Sequence, residues 1–291
     1  MKKRLILLLL IVVSFVACTN RKKTDERIIT VTIEPLRYFT EQIAGDKFKV
    51  ISMVPKGSNP ETYDPTPQQL VNLSNSEAYF RIGYIGFEVI WLDKLLSNVP
   101  HMKTFDTSKG IELIHDDHHH KEADHHHAHS GVEPHVWNSP QNALLIAANI
   151  KTALINLDSV NETYYTQRYD KLVKEICLVD QQVEEILHDA DSSFMIYHPA
   201  LSYFARDYGL RQISIEAEGK EPSPLQLKTL IDLSRQKGVN VIFVQQEFDS
   251  RNAALIAKET KSNIIAINPL NYNWKQELLN ISQALKHHGK Q

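Results

Sequence analysis

Cysteine is nearly absent. Cys18 and Cys177 are the only two in a chain of 291 residues, and Cys18 stands at the end of a leader segment, ahead of the folded body, so that body has no internal disulfide to hold it. Cys177 sits among Ile176, Leu178 and Val179 on a helical pattern and is expected to be a buried, inert thiol. A basic excess is also missing. Lys and Arg number 32 against 35 Asp and Glu, and a balance this close to neutral gives nucleic acid nothing to bind. Apolar runs of membrane-spanning length are absent too. The run Leu5 to Ala17 is too short to cross a bilayer, and with Lys2, Lys3 and Arg4 ahead of it it reads as a secretory signal over residues 1–17.

Histidine is what the chain has in abundance. Eight of its 14 histidines, namely His115, His118, His119, His120, His125, His126, His127 and His129, fall between residues 115 and 129, mixed with Asp116, Asp117, Glu122 and Asp124. Neutral imidazole is the commonest protein ligand for a borderline metal ion, and a tract mixing it with carboxylates reads first as metal binding. Two plainer readings stand beside it. A purification tag would sit at a terminus, whereas this tract is flanked by apolar periodic sequence. A solvated polar loop with no ligand role is cheap for a protein to carry.

A small residue, Ala17, directly precedes Cys18. The junction resembles a bacterial lipobox, which would make Cys18 a lipidated mature N-terminus; the alternative is a plain signal peptide with Cys18 incidental. The polar residues 18–27 then read as a tether. Export to the periplasm or cell surface is expected either way.

The remaining length suits two domains. In the first half the β-branched runs Ile28–Ile33 and Phe48–Val54 flank a helical stretch, and Ala78–Gly83 reads as a further strand. The second half repeats the alternation with strands at Phe194–Tyr197, Ile213–Ile215, Val239–Val244 and Ile264–Ile267. This is an α/β class with a largely parallel sheet in each half. Between them Tyr165, Tyr169, Leu172, Ile176, Val179, Val183 and Ile186 recur at steps of four and three, after the capping-box spacing Ser159 to Glu162. One helix from about 161 to 188 would be roughly 40 Å long, a connector for both lobes with a cleft between them. An exposed coiled coil is the alternative. The expected divisions are a first lobe over 28–158 including the His-rich loop 115–131, a connecting helix over 159–190, and a second lobe over 191–291.

Polar chemistry gathers at four strand or loop ends. Glu61 lies on the proline-stiffened stretch Lys56–Pro67; His135 follows the tract in Pro134–Trp137; His198 follows a strand, where α/β ligand sites usually lie; Asn268 closes the last strand run. Two imidazoles, a carboxylate and an amide are suitable donors for a divalent cation.

Through these residues the chain resembles the metal-binding receptors of bacterial ABC importers for zinc and manganese, and specifically the zinc-uptake, ZnuA-like branch. The resemblance covers about residues 28–286. It runs through Pro60–Pro67, Tyr84–Glu88, Pro134–Trp137, His198–Leu210, Glu221–Ser223 and Asn268–Leu270. It implies two Rossmann-like lobes joined by a long backbone helix, with the ion in the interlobe cleft, an acidic His-rich loop before the second ligand, and no enzymatic activity. Three positions depart from the pattern. Glu61 stands where the family usually has histidine, Asn268 where it usually has aspartate, and Gln245, with Glu247 two residues on, where it has a strand-end glutamate.

The expectation is an exported, lipid-anchored, monomeric receptor that binds a divalent metal with Glu61, His135, His198 and Asn268. It would pass the ion to an ABC permease driven by its ATPase. Zinc is the first choice and manganese or iron the alternative, because the donor set tolerates all three. The tract would be a weaker collector or sensor, mobile and dispensable to the fold. A zinc hydrolase is disfavoured by the lack of a His-Glu-x-x-His motif and of a second carboxylate near the ligands. A surface adhesin or zinc store using the same lobes is a third reading.

Overall fold

The structure, a computed structural model, describes residues 26–115, 131–216 and 219–286. The leader, Cys18, nearly all of the expected tether and every histidine of the tract except His115 lie outside these residues.

The first lobe runs β1 (Ile28–Val31), α1 (Glu34–Ala44), β2 (Lys49–Ser52), α2 (Pro67–Ser74), β3 (Ala78–Arg81), a π-turn over Glu88–Leu92 leading into α3 (Asp93–Ser97), and β4 (Lys103–Asp106). Then come α4 (Pro140–Leu157) and the long α5 (Glu162–Leu187). The second lobe follows with β5 (Ser193–Ile196), α6 (Ser202–Asp207), β6 (Arg211–Ser214), α7 (Pro224–Lys237), β7 (Val241–Gln245), α8 (Arg251–Thr260), β8 (Asn263–Ile267) and α9 (Trp274–Leu285). Each lobe has a four-stranded sheet, ordered β2-β1-β3-β4 and β6-β5-β7-β8, and every pairing is parallel. The central strands are buried on both faces: Ile29, Thr30 and Val31 in β1, Phe194, Met195 and Ile196 in β5. That explains their unbroken apolar character, since helices cover both sides of such sheets.

Helix α5 has 26 residues, about 39 Å at 1.5 Å per residue. Its stripe of Tyr165, Leu172, Ile176, Val179 and Val183 is buried against α1 and α4 on one side and α9 on the other. One helix therefore serves both lobes, and the coiled-coil alternative is excluded by these partners. Among the described residues no helix is long and apolar enough to cross a membrane.

Three local expectations are corrected and one strand is added. The capping box at Ser159 does not form: residues 159–161 make a 3-10 turn, and Asp158 instead accepts from Asn161 Nδ2 at 2.8 Å and from Tyr165 Oη at 2.7 Å. Cys177 is exposed, not buried, because it lies one residue, or about 100° of helical turn, past the stripe position Ile176. Arg27, assigned to the tether, is part of the body, paired with Glu77 at 2.8 Å and stacked over Phe48. Strand β4 was not foreseen.

In both sheets the strand order reverses beside the first strand, between β1 and β3 and between β5 and β7. Loops leaving the carboxyl ends on either side of such a point diverge and leave a crevice. His198 follows β5, Gln245 ends β7, Glu61 follows β2 and Gly86 follows β3.

Candidate metal centre

His135 and His198 meet in that crevice. Their Nε2 atoms are 3.3 Å apart and their rings lie 5.0 Å apart at 72°. Each ring is held from behind by a buried carboxylate: His135 Nδ1 by Glu133 Oε1, which also accepts the His135 main-chain N–H at 3.1 Å, and His198 Nδ1 by Glu216 Oε1 at 2.5 Å. A carboxylate only accepts, so it draws the proton of each neutral imidazole to Nδ1 and leaves both Nε2 atoms with free lone pairs. Two lone pairs facing each other repel unless a cation or a proton stands between them. The spacing suits a metal ion: two ligands each about 2.0–2.1 Å from a tetrahedral zinc ion are about 3.3 Å apart.

The frame around the pair is held by direct contacts. Gln245 clasps the His198 backbone, donating to its carbonyl at 2.7 Å and accepting its N–H at 3.3 Å. Phe248 stacks on the His198 ring at 5.0 Å and 13°. The segment bearing His135 is tied across to the second lobe: Ser202 Oγ donates to Glu133 Oε2 at 3.1 Å, Tyr203 Oη to the Glu133 carbonyl at 2.8 Å, and Asn138 Nδ2 to the Ala200 carbonyl at 2.9 Å. Ser139 caps the start of α4, its hydroxyl accepting from Asn142 N at 3.0 Å.

Burial opposes a proton on His135, but Glu133, Glu61 and Glu216 outweigh it and raise its pKa above the ordinary imidazole value. Burial likewise opposes charge on Glu133, yet the neighbouring His135 brings its pKa below the ordinary carboxylate value. The site is thus acidic in character and built to hold positive charge.

Glu61 lines the same cavity, which measures about 20 Å³, room for roughly one water-sized occupant. Its Oε2 accepts from Gly86 N at 2.8 Å, while Oε1 is buried without a hydrogen-bond partner. A buried carboxylate oxygen left bare is costly unless a cation meets it. Among the described residues, no three His, Cys, Asp or Glu side chains are gathered closely enough to enclose an ion; the two imidazoles stand at ligand spacing and Glu61 lines the cavity with them.

Asn268 is not brought to the cavity. Its Oδ1 accepts from Leu270 N at 3.1 Å, and its neighbours Pro269 and Leu270 line the wall instead. Glu247, two residues past Gln245, also lines it. Glu133 and Glu216 escaped the sequence reading, and with them falls the expectation that no further carboxylate stands near the ligands. Both, however, are committed to Nδ1, on the far side of each ring from the cavity. Of the tract, His115 is described, and it forms an antiparallel bridge with Val132.

The profile of the zinc-uptake complex component A family, periplasmic and abbreviated ZnuA, matches residues 29–283. The chain belongs to the ZnuA family. A crystal structure of ZnuA is similar to it at 35% identity with a TM-score of 0.82, covering 89% of this chain and 97% of that one. The zinc-binding lipoprotein AdcA of Streptococcus pneumoniae is 28% identical over 93% of this chain, which spans 56% of that longer protein. The manganese ABC transporter substrate-binding lipoprotein PsaA of the same species is 28% identical, over 85% of this chain and 81% of its own length. This ZnuA family member thus has relatives named for either metal.

Proposed function

We propose that this protein captures a divalent metal ion outside the cytoplasm and hands it to an ABC-type membrane permease powered by its ATPase, with zinc as the preferred cargo. The observation that carries the reading is the pair of Nε2 atoms 3.3 Å apart, each backed by a carboxylate on Nδ1. A metal-ligating imidazole usually donates its other ring N–H to a carboxylate or carbonyl, which fixes its tautomer and raises its basicity. Glu61, with its bare Oε1, is the third ligand; Asn268, turned to the Leu270 N–H, is not a ligand, and water or Glu247 completes the set. Two nitrogens and one oxygen favour zinc over manganese on intrinsic affinity, though manganese and iron fit the same donors.

Cys18, ahead of the described residues, is the lipid anchor, in keeping with the lipoprotein names of the relatives. The tract from His115 to His129 serves as an auxiliary, weaker collector.

The test is metal content by mass spectrometry after purification without chelator, followed by competition between zinc and manganese. One zinc per chain, retained against excess manganese, is the expected result; a stoichiometric manganese protein would shift the cargo assignment, and a protein that binds neither would overturn the function.

A further inference from the structure

Gly86 lies directly against Glu61. A Cβ built on Gly86 would stand 2.6 Å from the Glu61 carbonyl oxygen and 2.7 Å from Glu61 Oε2, closer than real atoms approach. Glycine is often required for a left-handed backbone, but Gly86 is not among the positive-φ residues, so its missing side chain is a matter of space alone. That space is filled by Glu61, whose Oε2 receives the Gly86 N–H at 2.8 Å. The next residue repeats the grip, Phe87 N donating to the Pro60 carbonyl at 2.9 Å.

We infer that Gly86 is a positioning and specificity-determining residue of the metal site, acting through Glu61. One carboxylate oxygen is pinned by the Gly86 N–H, so the rotamer is fixed and the other oxygen, Oε1, is presented to the ion as a preorganised hard donor. The inference rests on the proposed function. The loop has other anchors that a change at Gly86 leaves alone: Tyr63 packs on Phe87, Tyr63 Oη donates to Gln69 at 2.8 Å, and Trp91 Nε1 donates to Asp64 at 3.1 Å. A side chain at position 86 meets the Glu61 main chain as well as its carboxylate, so it shifts the loop at Glu61 while these anchors hold the loop on the far side. Manganese depends more on oxygen donors than zinc does, so loss of this oxygen weakens manganese more than zinc.

The experiment is a double-mutant cycle on the full mature chain, with zinc and manganese each titrated against a competing chelator. Gly86→Ala should weaken zinc on the order of 10- to 100-fold, raise the zinc-to-manganese preference, and have a clearly smaller effect in a Glu61→Ala background, where only the contact with the residue 61 main chain remains. Equal loss in both backgrounds, an unchanged metal preference, or no loss at all overturns the inference. If Gly86→Ala does not fold, Glu61→Asp, one methylene too short to reach the Gly86 N–H and the ion together, decides: zinc binding as weak as in Glu61→Ala upholds the inference and wild-type binding overturns it. Should Glu61→Ala itself bind normally, Gly86 has no such role, while loss of binding in His135→Ala with His198→Ala would show that the proposed function still stands.

Discussion

Trp274 donates its indole N–H to the main-chain carbonyl of Trp137 at 2.6 Å. Trp137 in turn donates to the carbonyl of Pro269 at 2.8 Å, and Trp274 packs edge-on against Phe39 of α1 at 5.0 Å. This chain of contacts joins α1, the His135 segment and the start of α9 into the joint between the lobes. Trp274→Ala empties a fully buried site and is expected to cost about 3–5 kcal/mol, while Trp274→Phe, which strands the Trp137 carbonyl, should cost about 1–3 kcal/mol. Urea denaturation of the metal-free protein measures both, and a loss below about 0.5 kcal/mol for the alanine variant would contradict the joint.

The carboxylates behind the histidines should matter to metal binding almost as much as the histidines themselves. Glu133→Gln and Glu216→Gln keep an acceptor for each Nδ1–H but remove the charge that makes the imidazole basic. Each is expected to lower zinc affinity on the order of 10- to 100-fold, read by competition with a fluorescent chelator.

Acid should act on the metal-bound and metal-free forms in opposite directions. His135 has a raised folded-state pKa, so in the metal-free protein it contributes stability that is full below the unfolded value near about 6.5 and is lost as pH rises through the folded value. Metal needs the neutral ring, and its stabilisation fades as pH falls through that same folded value. Melting curves from pH 5 to 9, with and without zinc, should therefore diverge as pH rises; parallel curves would show that His135 does not bind the ion.

A second titration belongs to Glu88. Burial pushes its carboxyl up to about 7, although Thr32 and the Ile82 and Gly83 N–H groups stabilise its charge. Its folded pKa lies above the unfolded one, so its contribution is full below about 4.5 and is lost as pH rises through about 7. Between these limits the metal-free wild type should lose stability relative to Glu88→Gln, and above them the difference should be flat. A difference that is constant from pH 4 to 8 would place the Glu88 pKa at its ordinary value.

The histidine tract should be separable from the tight site. His115 pairs with Val132 in an antiparallel bridge, which brings the two ends of the segment side by side, so replacing His118 to His129 with a short Gly-Ser linker asks little of the fold. Calorimetry on that variant should show the tightest site retained and one or more weak sites gone. Loss of the tightest site would identify the tract as the principal binding site.

Much of this was written in local sequence. The stripe from Tyr165 to Val183 and the β-branched runs repeat at the periods of the elements they form, and His135 and His198 sit in motifs with fixed neighbours. The same stripe could have placed Cys177 outside, since it lies between stripe positions Ile176 and Val179. Strand β4 was hidden because Lys103-Thr104-Phe105-Asp106 has one large apolar side chain and lies at the sheet edge. Glu216 could not be read because its partner is 18 residues away through a strand crossover. Asn268 was a matter of local turn chemistry: its side chain caps its own turn at Leu270.

The bonds from Ser202, Tyr203 and Asn138 across the cleft have a mechanical consequence. His135 precedes the long helix in sequence, yet it is fastened to the same body as His198, and Glu61 alone approaches from a separate loop held by the first lobe. Any motion that spares those bonds would withdraw one donor and keep two.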